Sequence, residues 1–210
     1  MERDSSAALE PLRPSLPAPE IARCLARAAD LWIFAYGSLM WDPGFAHVEA
    51  QPALLRGYHR RFCVYSHRYR GTPERPGLVL GLDRGGACKG IAYRVPQADV
   101  APALHYLWER EMANRTYHLR DVQLALPTGT ATGHAFVVDR AHRSYTGGLS
   151  LDETARLILQ GIGARGPCRQ YLDNTIAELR KLGCIDGPLH RLAERVRELA
   201  AIERPCAGLP

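Results

Sequence analysis

Leu31-Trp32-Ile33-Phe34-Ala35-Tyr36, closed by Gly37-Ser38, is the stretch that decides the fold of this chain. Six apolar or aromatic residues in an unbroken row are short for a globular helix, and their aromatic and β-branched content favours a strand. No polar residue alternates within the run, so both faces of that strand must be covered. Gly37 ends it, because glycine turns tightly and lets other groups approach the backbone.

Working downstream, strands are predicted at 61–65, 78–82, 89–95, 118–126 and 134–138. Asp83-Arg84-Gly85-Gly86 reads as a hairpin turn, since paired glycines tolerate positive φ. A helix from about Gln97 to Met112 interrupts the strands. Three more follow the last one. Ser150-Leu151-Asp152-Glu153 has the pattern of a capping box and opens a helix to about Ile162. A second runs from about Pro167 to Leu182, stopped by Gly183, and a third from Pro188 to about Ile202.

Upstream, Pro19 opens a short helix over residues 19–30. Residues 1 to about 17, with Pro11, Pro14 and Pro17 close together, read as a mobile tail. Strands first and helices late predict an α+β fold: a curved mixed or antiparallel sheet, or a small β-barrel, flanked by helices concentrated in the C-terminal third. The expected division is a tail with a short helix over 1–29, one domain over 30–204 and a C-terminal tail over 205–210.

Composition narrows the function classes. No apolar run approaches the ~18 residues of a membrane-spanning helix, and the start, Met1-Glu2-Arg3-Asp4-Ser5-Ser6, has no apolar signal region. A cytoplasmic protein is expected. The six cysteines show no C-x-x-C spacing and read as reduced thiols packed like small apolar residues. The eight histidines show no H-x-x-x-H spacing, so neither zinc nor another metal is expected. The net charge of +5 is compatible with nucleic acid, with an anionic small molecule, or with solubility alone.

Helix geometry then singles out one carboxylate. At about 100° per residue, Val100, Leu104 and Leu107 line one stripe of the helix, flanked by Ala103. The next position on that stripe is Glu111, whereas Glu109 falls on the solvent side. A carboxylate aimed at the core costs several kcal/mol unless it is paired or neutral. Three readings stay open: a structural ion pair with a nearby arginine, a general base whose pKa the fold has raised, or a solvated residue at a helix end.

The loop after the first strand, Tyr36-Gly37-Ser38-Leu39-Met40-Trp41, could free N–H groups to hold a carboxylate or an oxyanion, or could be an ordinary turn. There is no G-x-x-x-x-G-K-[ST] or G-x-G-x-x-G, and Ser38 lacks the G-x-S-x-G context of a nucleophile elbow.

Taken together, these blocks resemble the ChaC family of γ-glutamylcyclotransferases. The resemblance starts at Trp32-Ile33-Phe34-Ala35-Tyr36-Gly37-Ser38-Leu39-Met40-Trp41 and continues through Arg56-Gly57-Tyr58-His59-Arg60-Arg61-Phe62-Cys63. Arg70-Gly71-Thr72-Pro73, Pro76-Gly77-Leu78-Val79 and Gly90-Ile91-Ala92-Tyr93-Arg94-Val95 follow in order. Tyr106-Leu107-Trp108-Glu109-Arg110-Glu111-Met112 matches the segment carrying the family's catalytic glutamate, which falls on Glu111; Gln170-Tyr171-Leu172 matches a later block. The similarity spans about residues 31–200. One departure is Asn114-Arg115-Thr116 before Tyr117, where many members have small residues.

What the resemblance implies is an intramolecular aminolysis of glutathione, releasing 5-oxoproline and Cys-Gly without metal or cofactor. Glu111 would be general acid and base. Ile33, Phe34, Ala35, Tyr36, Gly37, Ser38 and Leu39 would bind the γ-glutamyl end, with Tyr117 and Tyr171 as hydroxyl donors. The substrate partner is then a small molecule, with neither nucleic acid nor membrane, and a monomer is expected. Rival readings are a cyclotransferase of the same fold acting on γ-glutamylamines or γ-glutamyl amino acids, and a family member that has become an adaptor. A further rival is a nucleic-acid or acidic-ligand binder using Arg56, Arg60, Arg61, Arg68 and Arg70 with Tyr58, Tyr65 and Tyr69.

Overall fold

The computed structural model describes residues 19–27 and 29–202. The tails read at 1 to about 17 and at 205–210 lie outside them. Helix α1 (Pro19–Leu25) precedes strand β1 (Leu31–Ala35), which ends at a single 3₁₀ turn over Ser38–Met40. Two long strands follow, β2 (Glu49–Ser66) and β3 (Gly77–Val95), and then helix α2 (Val100–Glu111). Strands β4 (Tyr117–Leu126) and β5 (Gly129–Val138) complete the sheet. The rest is α3 (Leu151–Gln160), the small hairpin β6 (Ile162–Gly163) and β7 (Gly166–Pro167), α4 (Cys168–Lys181) and α5 (Gly187–Ile202).

The first five strands close into a barrel in the order β1-β3-β2-β4-β5. β1 pairs antiparallel with β3, from Leu31 opposite Val95 to Ala35 opposite Ile91, and parallel with β5 at Ile33 opposite His134. The barrel is therefore mixed, flanked by helices, with three of the five described helices after the last barrel strand.

The strand predictions need one correction. Residues 83–86 are not a hairpin turn; the chain runs straight through them, and the strands predicted at 78–82 and 89–95 are one strand of 19 residues. Its partner β2 likewise extends well before residue 61. The register slips between Arg56 and Tyr58, opposite Arg84 and Ala87, with Gly57, Gly85 and Gly86 at φ of 83°, 103° and 71°. A bulge and a tight turn both require positive φ, so the glycine pair marks either one in a sequence.

Successive strand residues face opposite sides of the barrel wall, and both sides are apolar. Phe34, Ala135 and Val137 join a cluster with Ile158, Leu172, Leu179 and Val196 of the C-terminal helices. Ile33, Ala35, Phe136 and Val138 join another with Val100, Leu104 and Leu107 of α2. That two-sided burial is why the opening run carries no polar alternation.

The helix ends follow their local chemistry. Ser150 and Glu153 form the reciprocal capping box of α3. After α4, Gly183 takes φ 59°, its N–H bonds to Arg180 O and the Cys184 N–H to Leu179 O, a complete Schellman stop. The loop after β5 is latched to the barrel by Asp83, which is 1 % exposed and accepts from Arg140 Nε at 2.6 Å and Tyr145 Oη at 2.9 Å. No described helix is long and apolar enough to cross a membrane.

Candidate active site

Where the end of β1, the end of β2, the last turn of α2 and the first turn of α4 converge, they enclose a cavity of about 190 Å³. Tyr36, Gly37, Ser38, Leu39, Glu111, Tyr117 and Tyr171, read from the sequence as site residues, all line it. Ile33, Phe34 and Ala35 do not. All three are fully buried in the barrel wall beneath it, with Ile33 and Ala35 facing one apolar cluster and Phe34 the other. They shape the strand that delivers the loop, and their side chains are spent on packing.

Glu111 is the final residue of α2, one turn beyond the buried Leu107, so the helix carries its carboxylate from the core stripe into the cavity. Glu109 is exposed, as helical phase predicts. The Glu111 side chain retains 19 % of its accessible surface, and the cavity it lines is where that surface opens. Burial raises its pKa; the positive charges of Arg110 and Arg165 and a hydrogen bond from Arg110 pull the other way and do not cancel the rise. The carboxylate is paired with an arginine and its pKa is nevertheless raised.

Three tyrosines surround this carboxylate. Tyr36 Oη donates to Phe136 O at 2.9 Å, and Tyr117 Oη donates to Leu80 O at 3.0 Å. Tyr171 stands edge-on to Phe62 and Trp41, with ring centroids 5.7 and 5.5 Å apart. Burial raises the pKa of all three phenols, and the Glu111 charge raises each further. They are protonated hydroxyls at neutral pH.

Gly37 is required by a close approach. A Cβ there would lie 2.8 Å from Tyr171 Oη. The next residues form the 3₁₀ turn, whose first internal bond is Met40 N–H to Gly37 O at 2.9 Å; ahead of it the Ser38 N–H bonds to the Tyr171 hydroxyl.

Sequence reasoning missed the arginines that fix this arrangement. Arg110, only 6 % exposed, places Nε 3.2 Å from Glu111 Oε1 and donates from Nη2 to Ser38 Oγ at 3.0 Å and from Nη1 to Asp42 O at 2.6 Å. It ties the Glu111 carboxylate to the loop across the cavity. Arg60, grouped in the sequence with the arginines of the binding-module reading, is buried: Nη1 donates to Tyr36 O at 2.7 Å, and Nε faces Asp186 Oδ2 at 3.3 Å. The signal for Arg110 was its adjacency to an inward carboxylate; nothing in the strand pattern distinguished Arg60.

The five arginines grouped as a binding face do not form one. Arg60 is buried, Arg61 donates to Gly147 O at 2.7 Å, and Arg70 turns inward over the Tyr171 ring, 5.3 Å from its centroid. Only Arg56 and Arg68 of that group are exposed. Three of the buried thiols are held in their unreactive form. Burial pushes Cys63 up to about 12 and Cys88 and Cys168 up to about 11, so they stay protonated.

Known proteins share both the sequence and this fold. The glutathione-specific γ-glutamylcyclotransferase of Escherichia coli (strain K12) is 38 % identical over 183 residues, covering 87 % of this chain and 79 % of the relative. The human glutathione-specific γ-glutamylcyclotransferase 1 is 32 % identical over 179 residues, covering 82 % and 81 %. A crystal structure of a yeast γ-glutamyl cyclotransferase specific to glutathione superposes with a TM-score of 0.76 over 81 % of this chain and 96 % of that one, at 22 % identity, so the barrel and its helices are shared. The model of the ChaC-like protein family matches residues 31–199, which take in every element from β1 onward that builds the cavity, and the chain belongs to that family.

Proposed function

We propose that this protein cleaves glutathione by intramolecular aminolysis, giving 5-oxoproline and Cys-Gly, with Glu111 as general acid and base. The observation that carries the reading is the placement of Glu111: a carboxylate with a raised pKa, delivered by the core stripe of α2 into a cavity ringed by three protonated phenols. The names of the relatives in Escherichia coli and human supply the same substrate.

In this mechanism Glu111 takes a proton from the α-ammonium of the γ-glutamyl group. The freed amine attacks the side-chain carbonyl, closing a five-membered ring and placing negative charge on the carbonyl oxygen. The Tyr171 hydroxyl, backed by the Ser38 N–H, donates to that charge, while Tyr36 and Tyr117, whose hydroxyls donate to Phe136 O and Leu80 O, wall the cavity around it. The carbon–nitrogen bond to cysteine then breaks. Glu111 returns its proton to the departing nitrogen, the second proton lost by the attacking nitrogen follows, and Cys-Gly leaves as an ammonium. Protons balance, and no water is consumed. Folding the substrate into the cyclic geometry can supply up to ~7–11 kcal/mol of the barrier reduction. A raised pKa makes Glu111 a stronger base than an exposed carboxylate, and such help is typically worth ~10²–10⁴-fold.

The cytosol is the compartment that fits a chain carrying Cys63, Cys88 and Cys168 as buried thiols, and a monomer is sufficient for this site, since one chain supplies every residue named. The test is mass-spectrometric detection of 5-oxoproline released from reduced glutathione. Release by the wild type but not by Glu111→Gln supports both reaction and base. Release of 5-oxoproline only from γ-glutamylamines or γ-glutamyl amino acids would move the substrate class and keep the chemistry.

A further inference from the structure

The cavity has an electropositive mouth that the proposed chemistry does not use. Its lining carries four arginines, Arg68, Arg70, Arg110 and Arg165, and one carboxylate, Glu111. Arg110 is occupied with Glu111, Ser38 and Asp42, and Arg70 donates to Pro167 O at 3.1 Å. Arg68 and Arg165 are exposed and make no ion pair with any described residue. Both guanidiniums lie over one ring, that of Tyr69, 5.5 and 5.0 Å from its centroid.

The backbone builds this arrangement. Tyr69 lies in the segment between β2 and β3, and Arg165 sits at the tip of the β6–β7 hairpin. The Ala164 N–H bonds to Arg68 O at 2.8 Å and the Arg165 N–H to Tyr69 O at 2.9 Å, so the hairpin tip is fastened to the loop. Gly163 permits it: a Cβ there would lie 2.6 Å from Arg68 O and from Gly71 N. Two cations are thus held against one aromatic ring at the edge of a low-dielectric cleft, next to a third, Arg70, whose pKa burial and the Arg165 charge both lower. Such a cluster repels itself unless an anion joins it.

We propose that Arg68 and Arg165, stacked on Tyr69, form the subsite for the terminal carboxylate of the leaving dipeptide. The proposal rests on the glutathione reading above and names what makes a tripeptide the preferred substrate. With the γ-glutamyl ammonium at Glu111, the Cys-Gly portion extends up to ~7 Å beyond the scissile carbonyl. Arg68, Arg165 and Glu111 line the same cavity, and the Arg165 charge acts on the Glu111 carboxyl, which is the basis for placing the two ends of one tripeptide at the two sites. Arginine suits the task, since its planar fork matches a carboxylate.

The experiment compares glutathione with its C-terminal amide, which lacks only the terminal negative charge, for wild type, Arg68→Met, Arg165→Met and the double variant. Wild type is expected to favour glutathione by ~10–100-fold in kcat/KM, mostly through KM. In the double variant that preference should collapse toward unity, kcat/KM falling far more on glutathione than on the amide, and whatever change the lost Arg165 charge makes at Glu111 is common to both substrates and cancels in the ratio. Arg165→Lys should restore part of the preference, and melting temperatures should stay level because neither side chain carries a contact the fold depends on. Equal kcat/KM for acid and amide in wild type would overturn the subsite while leaving the cyclotransferase reading in place. A preference that survives the double variant would do the same. No 5-oxoproline from either compound would remove the glutathione reading itself and the subsite with it.

Discussion

Nε of Arg110 stands 3.2 Å from Oε1 of Glu111, its immediate neighbour in the chain. Adjacent helical residues point about 100° apart, so the contact exists only because the long arginine folds back at the end of α2 and anchors on Ser38 and Asp42. The proposed base and the loop that would hold the γ-glutamyl group are thereby joined through one guanidinium.

Glu111→Gln is expected to lower 5-oxoproline release ~10²–10⁴-fold while leaving the circular-dichroism spectrum unchanged. The same variant has a stability signature. Glu111 has a raised pKa, so the folded state holds its proton more tightly, and that contribution is complete below the unfolded carboxylate value and lost as pH rises through the folded one. Glu111→Gln should therefore gain on wild type in denaturant midpoint as pH rises toward neutral, and the gap should close in acid. A gap independent of pH would mean the carboxyl is not raised.

The acid limb of kcat/KM should follow the Glu111 carboxyl and lie above the ordinary carboxylate range, activity rising as the base ionises. Arg110→Met removes the nearest charge opposing that rise, so the limb should move to higher pH. A limb unmoved by Arg110→Met would assign it to another group.

Gly37→Ala should destabilise the protein by ~1–3 kcal/mol, because its Cβ would meet Tyr171 Oη at 2.8 Å. In a Tyr171→Phe background that oxygen is gone and the next atom, Leu80 Cδ1, lies at 3.7 Å, so the cost should largely vanish. Urea midpoints of the four proteins give the coupling directly. Additive effects would place the clash elsewhere.

Asp83→Ala should cost about 1–3 kcal/mol by leaving Tyr145 and the Arg84 N–H without their acceptor. Burial raises the Asp83 pKa, but hydrogen bonds from Arg140, Tyr145 and the Arg84 amide outweigh it, and the net shift is downward. A depressed carboxylate contributes stability above its unfolded pKa that is lost as pH falls through the folded value. The wild-type advantage over Asp83→Ala should therefore shrink in acid, as thermal melts against pH will read.

By itself the sequence determined a mixed α+β protein opened by a fully buried strand, the phase that turned Glu111 inward and Glu109 outward, and the capped ends of α3 and α4. Each of these rests on periodicity or on contacts within a few residues, which local order alone encodes. Tertiary structure decided the rest. It made Gly85 and Gly86 a bulge because Gly57 faces them from another strand, and it buried Ile33, Phe34 and Ala35 on both sides of the barrel wall beneath the cavity. It also turned Arg60 and Arg70 inward and drew Arg68 and Arg165, 97 positions apart in the sequence, onto one tyrosine ring. A long cationic side chain looks alike in a sequence whether it faces water, a carbonyl or a substrate, because its partner is chosen by chain segments that meet only after the barrel closes.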